Sequence, residues 1–585
     1  IVVEPGWAAK LTRKGHLVLT RTEPRPEMQA IGTKADPVML EIFNNLFMSI
    51  AEQMGTTLAN TSYSVNIKER LDFSCAVFDR HGDLIANAPH IPVHLGSMGE
   101  SIRAVMRGNE GKMKPGNVYA LNAPYNGGTH LPDVTVITPV FDDAGQDILF
   151  YVGSRGHHAD IGGMVPGSMA GGMSEIYQEG LRIPVVKLFR KGKLQQDIMD
   201  ILLLNVRVPS ERRGDHNAQI AACRLGARRL LEVIKENGLE NVLSAFDQII
   251  SRTAKRMRLA ISEIPSGSYS FEDVMDGDGI DSTNIPICLK INVSGDKINL
   301  DFSGTSQQVG GNINTTFNAV QASACYALIA ALDSEMPSNQ GILDVVEINI
   351  EPGTLLNSVF PAPVAARAHT CQRVVDVVLG ALSKALPENV IAAANGANTT
   401  AVFSGIDPRT NQPYLYLETL GGGMGARAHK DGKDGVQVHI TNTSNLPVEA
   451  IEQEYPLRVS EYCFIEDTGG AGKYRGGMAL RRVVTPVNHT CIFNGAGERF
   501  SNKPWGLFGG QAGESGQFLM RKERKVIRLD DKPEEVNVSP GTYIIVETPG
   551  AGGYGPPAER SKDLINQDRE SGKFSIEYIN HHYEN

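Results

Sequence analysis

Apolar residues recur along this chain in two rhythms. From Met39 through Ile42, Phe43, Leu46, Phe47, Ile50 and Met54 they return every three or four positions, which lines one face of a helix. Asp36 and Pro37 punctuate its start: an N-cap side chain, then a proline whose missing N–H leaves no helical acceptor unpaired. The same rhythm predicts a helix over 215–236, through Ile220, Cys223, Ala227, Leu230, Leu231 and Ile234. It continues over 242–261 and returns over 374–386, where Pro387 closes it.

Elsewhere the period is two. Residues 72–86 read as strand, turn (Asp79-Arg80-His81-Gly82) and strand, and 134–140 and 148–152 repeat this around Asp142-Asp143-Ala144-Gly145. Strands are expected over 268–303, where Lys290 to Val293 and Lys297 to Leu300 alternate polar and apolar. From about 455 to 556 short strands among many glycines predict an antiparallel β unit. Near the start, 11–13 and 17–20 flank Lys14-Gly15-His16 as a hairpin. Two strands are not stable alone, so 1–31 reads as the tail of another domain. The expected class is α+β: a multi-domain, mixed α/β subunit with Gly-rich loops and a C-terminal antiparallel β unit. Its divisions fall at 1–31, 32–265, 266–455, 456–556 and a peripheral helix or tail at 557–585.

Composition narrows the function classes. The 585 residues are 41% hydrophobic and 21% charged, too apolar for a disordered chain. A net charge of -10 argues against nucleic acid as the main partner, since phosphate binding needs a basic surface. No apolar stretch approaches the roughly 18 residues that span a bilayer, so no membrane association is expected. The seven cysteines are scattered, without a CxxC pair, so neither a disulfide framework nor a zinc ribbon is indicated. A cytoplasmic protein is expected.

The chemistry concentrates between 64 and 180, which holds six of the 14 histidines: His81, His90, His94, His130, His157 and His158. His130 and Asp133 lie three apart across Leu131-Pro132, a fixed bend that lets imidazole and carboxylate converge on one ion. His157 or His158 opens the loop after the next strand, and Asp72 opens an earlier one. Two carboxylates with two imidazoles suit zinc, manganese or iron better than calcium or magnesium. Such an ion acidifies water or polarises a carbonyl oxygen. The competing interpretation is a set of hydrogen-bonding histidines in Gly-rich loops. His90 and His94 are four apart, but Pro89 and Pro92 argue against a helix there. The runs at 126–128, 421–425 and 550–553 lack the Lys and Ser/Thr of a P-loop. Turns or close backbone contact explain them better. Trp505 and Arg475 read as structural, and the cysteines, Cys75 and Cys371 included, as packing residues.

A series of strings then carries a resemblance over about 34 to 575. It includes ERLDFSCAVFD (69–79), HIPVHLGSM (90–98), GGTHLPDVTVITPVF (127–141), SRGHHADIGG (154–163) and QEGLRIP (178–184). It continues with DFSGTS (301–306), QRVVDVVLGAL (372–382), HITNTSNLPVEAIE (439–452), GGAGKYRGG (469–477), PWGLFGG (504–510) and ETPGAGGYG (547–555). In this order they resemble the hydantoinase B / oxoprolinase family. The resemblance implies a B-type component of ATP-dependent enzymes that open cyclic amides: hydantoins, 5-oxoproline or lactams. It implies an A-type partner that binds ATP and Mg and phosphorylates the amide oxygen, hence a hetero-oligomer. In this division of labour the B-type component hydrolyses the activated intermediate at a divalent metal site. Carried over by position, the metal ligands fall on Asp72, His130, Asp133 and His157, with His158 the alternative to His157. His94 and His158 remain for general acid/base work or substrate orientation. Residues 1–31 resemble the end of an A-type component, so the chain is expected to derive from a fused polypeptide or a shifted gene boundary. Two alternatives accompany this reading: a component of an ATP-dependent ketone carboxylase, and a non-catalytic structural subunit.

Overall fold

The computed structural model describes residue 3, residues 7–22 and residues 37–584. Strands β1 (Trp7–Leu11) and β2 (Leu17–Arg21) form the expected hairpin and pair only with each other among the described residues. Helix α1 (Pro37–Thr61) follows; its expected cap, Asp36, lies outside the described residues. Leu40, Phe43, Phe47, Ile50, Met54 and Leu58 form its buried face, while Ile42 turns out to solvent. Burying a side chain such as Phe47 contributes about 1.5–3 kcal/mol.

After the short α2 (Val65–Lys68) come β3 (Phe73–Asp79), β4 (Leu84–Asn87) and α3 (Pro92–Asn109). Strands β5 (Val118–Leu121), β6 (Asp133–Phe141), β7 (Ile148–His157), β8 (Val186–Arg190) and β9 (Lys193–Leu194) complete a seven-stranded sheet ordered β4-β3-β7-β6-β5-β8-β9. Helices α4 (Gln196–Leu204), α5 (Pro209–Asn237) and α6 (Leu239–Ser262) follow. One face of the sheet presents Cys75, Val77, Val134, Val136 and Val152 to a core shared with α1, α5 and α6. The other presents Ala76, Phe78, Ile137 and Tyr151 to Met98, Ile102 and Val105 of α3. Helix α3 runs where Pro89 and Pro92 argued against one. Pro92 is its first residue, a position where proline breaks no hydrogen bond.

The largest apolar core lies beside a second sheet, β10 (Gly267–Gly277), β11 (Thr283–Ser294), β12 (Lys297–Asp301) and β13 (Val346–Asn349). Against it pack α7 (Phe317–Leu332) and α9 (Arg367–Leu382), with α8 (Gln340–Leu343) between them in sequence. Every residue of α9 is buried, so no polar face marks its start, which lies seven residues before the expected one.

Two further sheets follow. Strands β14 (Thr399–Asp407) and β15 (Gln412–Leu420) precede α10 (Val448–Glu454), β16 (Leu457–Phe464), β17 (Leu480–Pro486) and β18 (Cys491–Ala496). They are completed by β19 (Gln517–Lys522), β20 (Lys525–Arg528), β21 (Val536–Val538) and β22 (Thr542–Glu547). Their orders are β15-β14-β18-β21 and β16-β17-β22-β19-β20, both antiparallel, with an aromatic core including Phe403, Phe493 and Phe518. Since β14 pairs with β18, hydrogen bonding crosses the division expected at 455/456. Beside these sheets the Gly-rich runs pack backbone against backbone: the amide of Gly423 donates to Pro549, that of Ala426 to Gly552, and that of Gly477 to Met424. A Cβ on Gly425 would lie 1.8 Å from the Ala392 oxygen, and one on Gly476 1.9 Å from that of Ala551. Close backbone contact is thus the use of these glycines. Helices α11 (Lys562–Ser571) and α12 (Ile576–Tyr583) close the described chain, holding Ile565, Phe574 and Ile579 against Met478. No described helix is long and apolar enough to cross a membrane.

Candidate metal centre

Strand alternation explains what gathers at one end of the seven-stranded sheet. Asp133 opens β6 and pairs in register with His157, which closes β7. The amide of His157 donates to the carbonyl of Asp72, the residue just before β3 (3.0 Å). Asp72, His157 and Asp133 therefore lie side by side on neighbouring strands, in the register that faces α3. His130 enters from the turn before β6, and His94 from the first turn of α3.

Asp133 is the hub, with no exposed surface. Its Oδ1 lies 2.9 Å from His130 Nε2 and 3.2 Å from His157 Nδ1. Its Oδ2 lies 3.3 Å from His94 Nε2 and accepts hydrogen bonds from Thr129 Oγ1 (2.8 Å) and Arg367 Nη2 (2.5 Å). Burial alone would raise the carboxyl pKa; His130, His94 and Arg367 outweigh it and hold the group well below the usual carboxylate range. Burial pushes His130 down to about 4 and also lowers His94, against the pull of Asp133 in both cases.

One contact in this cluster calls for a proton or a cation between its two atoms. His130 Nδ1 lies 2.8 Å from the carbonyl oxygen of Ala365, which can only accept, so Nδ1 carries the ring proton. In the neutral ring, Nε2 then turns a lone pair toward a carboxylate oxygen that is also an acceptor. Two acceptors at 2.9 Å need a proton or a cation between them. His157 Nε2 is buried without a hydrogen-bond partner. One donor atom from each of His130, Asp133 and His157 falls within 4.8 Å of the others. This nitrogen-rich set fits zinc, manganese or iron, and a ligating histidine whose other nitrogen donates to a backbone carbonyl is the usual arrangement.

A second ring of residues fixes the first. Glu179 Oε1 accepts from the amides of Val364 (2.5 Å) and Ala365 (2.7 Å), securing the turn that supplies both the Ala365 carbonyl and Arg367. Burial pushes the Glu179 carboxyl up to about 8, despite those two amides. Asn66 Nδ2 donates to the carbonyl of His157 (2.7 Å). Ser74 Oγ lies 3.2 Å from His94 Nδ1.

Of the six residues singled out from the sequence, His130, Asp133 and His157 converge, and His94 joins them through Asp133. The half-buried carboxylate of Asp72 stands beside them but outside the converging trio. His158 faces the other side of the sheet. There its Nε2 lies 3.1 Å from Gln219 Oε1 of α5, its ring is 4.7 Å from that of His216, and burial pushes it down to about 3. Arg367, Thr129 and Glu179 went unnoticed. The motif string QEGLRIP contains Glu179, but nothing local marks Arg367, which lies 234 residues from Asp133.

The profile described as Hydantoinase B/oxoprolinase matches residues 36–557. The chain belongs to this family. Among relatives in the hydantoinase B/oxoprolinase family, 5-oxoprolinase 1 of Arabidopsis thaliana is 37% identical over 95% of this chain, which spans only 44% of that protein. The B-type subunit of the putative D-/L-hydantoinase of Pseudomonas sp. strain NS671 is 33% identical, over 92% of each chain. The ATP-dependent caprolactamase from Pseudomonas jessenii superposes with a TM-score of 0.88 at 27% identity, covering 94% of this chain and 96% of that one. An acetone carboxylase structure gives 0.86 at 19% identity and covers 95% of this chain and 80% of that one, a likeness of fold alone.

Proposed function

We propose that this chain is the B-type component of an ATP-dependent cyclic amide hydrolase, acting on a ring activated by phosphorylation in an ATP-binding partner. The carrying observation is the buried carboxylate of Asp133 facing the lone pair of His130, with His157 beside them. The 5-oxoprolinase and hydantoinase relatives, and the caprolactamase neighbour, support the reaction class. The partner is either a separate polypeptide, as the hydantoinase name implies for its own protein, or another part of a longer chain, as the length of the plant relative allows.

His130, Asp133 and His157 would hold the divalent ion, with Asp72 the fourth ligand. Such an ion supplies Lewis acidity toward a carbonyl or phosphoryl oxygen and acidifies water. The residues around it do the positioning. Ala365 fixes the His130 tautomer so that Nε2 stays an acceptor, and Arg367 and Thr129 bind Oδ2 of Asp133, leaving Oδ1 for the trio. His94, on the same side as the cluster, would turn Nε2–H to Oδ2 of Asp133 and so orient that carboxylate; His158 is across the sheet. Activation matters because amide nitrogen donates into the carbonyl and blunts attack by water. Phosphorylation of the oxygen removes that protection and supplies a leaving group.

The test is ATP-dependent ADP release by the complete complex, on a panel of 5-oxoproline, hydantoin, caprolactam, and acetone with bicarbonate. Turnover of a cyclic amide without bicarbonate is expected. In the same complex, His130→Ala should remove stoichiometric metal, read by elemental analysis, while circular dichroism stays unchanged. Turnover only with ketone and bicarbonate would move the chain to the carboxylases, and unchanged metal content would reject the ligand set.

A further inference from the structure

Beyond the metal cluster, α9 carries a second set of ionisable groups. Asp376 lies nine residues past Arg367, about 13 Å along the helix axis. Its Oδ2 accepts from Arg499 Nη2 (2.8 Å), and its Oδ1 accepts from the amide of Ala394 (3.3 Å) and lies 2.9 Å from His439 Nε2. His439 is buried, and its φ of +53° lies in the left-handed region, uncommon for a residue other than glycine. The Asp376 carboxylate accepts, so His439 Nε2 donates and Nδ1 is left with its lone pair. Among the described residues no donor meets that Nδ1. His439 lines the wall of a cavity of about 1050 Å³.

Three guanidinium or ammonium groups line the same cavity. Arg256 is already paired with Asp333 (2.5 Å). Arg427 and Lys430 make no ion pair with a carboxylate among the described residues, and Arg427 Nε is buried without a partner. The lining carboxylates, Glu41, Glu335 and Glu388, are exposed to water. A half-buried guanidinium without a carboxylate partner and an anchored imidazole with a free lone pair thus line one open cavity.

We propose that this cavity is a second binding site, for a small organic anion that also carries an N–H or O–H donor. Arg427 and Lys430 take its negative charge, and His439 Nδ1 accepts the hydrogen bond from its donor. Asp376 is a positioning residue, holding the His439 tautomer. The anionic group is a carboxylate or a phosphate, and the test separates the two. Neither His94 nor the trio of His130, Asp133 and His157 lines this cavity, and the proposal stands whether or not the ring-opening reading holds.

Calorimetry on the full chain without ATP tests it, with 5-oxoproline (carboxylate and ring N–H), 2-pyrrolidinone (the same ring without carboxylate) and inorganic phosphate. One of the two anions should bind, at least about tenfold more tightly than 2-pyrrolidinone. A preference for 5-oxoproline assigns a carboxylate ligand, and a preference for phosphate a phosphate ligand. Arg427→Gln and His439→Gln should each weaken it by about tenfold. Lys430→Gln, an exposed change that leaves the fold alone, should weaken it by about threefold. Asp133→Asn, at the metal cluster, should leave it unchanged. Absence of binding by both anions, equal binding of 2-pyrrolidinone, or sensitivity to Asp133→Asn but not to Lys430→Gln would overturn the proposal.

Discussion

At the scale of single residues, Glu179 shows how far from the cluster its geometry is set. It touches no imidazole, yet its Oε1 clamps the amides of Val364 and Ala365, and Ala365 fixes the ring of His130. Glutamine keeps that acceptor, so Glu179→Gln should retain metal, whereas Glu179→Ala leaves two buried amides unpaired and should loosen the trio, costing about 1–3 kcal/mol per orphaned group. The pH dependence has a definite sign. The folded carboxyl is raised to about 8, above the roughly 4.3 of an unfolded glutamate. Its stabilisation is present in full below the unfolded value and drains away as pH climbs toward 8. Glu179→Gln should therefore lack this loss, and its melting temperature should gain on the wild type between about pH 4.5 and 8. A constant difference across that window would show that Glu179 is ionised in the fold.

At the scale of elements, glycine contacts give a paired prediction. The Cβ of Gly476→Ala would meet the Ala551 carbonyl at 1.9 Å, and backbone cannot step aside as a side chain does. The cost should reach or exceed the upper end of the usual overpacking range, about 1–3 kcal/mol. Gly108, exposed in the last turn of α3, has open space around its would-be Cβ. Gly108→Ala should stabilise by about 0.5–1 kcal/mol. Thermal unfolding of the two variants checks both signs. The same physics decides what was legible in the sequence. Helices with one wet face, α1 and α5, announced themselves by period. Helix α7 did not: its Ala-rich sequence is buried over most of its circumference, so apolar and polar positions do not alternate. Helix α9 hides its first turns, because Arg367, His369, Gln372 and Arg373 look like surface residues and are buried. At the site, the His130–Asp133 pair was readable since both lie on one turn; Arg367 was not, since its partner is set by tertiary packing.

At the scale of the whole molecule, buried charge ties the regions together. Asp273 of β10 binds Arg499 of the β-rich region (2.7 Å) and Arg373 of α9 (3.3 Å), and also accepts from Trp505 Nε1 (2.9 Å). Arg499 reaches on to Asp376, while Glu498 binds Lys532 (3.0 Å) and Arg373 (3.4 Å). Burial would raise both aspartates, but their partners outweigh it: Arg499 and Arg373 hold Asp273 far below the usual carboxylate range, and the hydrogen bond from His439, with Arg499, lowers Asp376. A depressed folded pKa contributes stability that is present above about pH 4 and disappears as pH falls through the folded value. Arg499→Met removes the shared cation and leaves two buried carboxylates short of a partner, a loss of about 3–5 kcal/mol. It should also raise both carboxyl pKa values toward their unfolded ones, so that its stability deficit against the wild type is greatest near neutral pH and narrows as pH falls below about 4. Arg499 spans β10, α9 and the last sheets, so the variant should also separate the unfolding of the β-rich region from that of the seven-stranded sheet. Two calorimetric transitions where the wild type shows one are the expected result. A single transition shifted down without a change in acid sensitivity would mean that apolar packing, rather than this network, joins the regions.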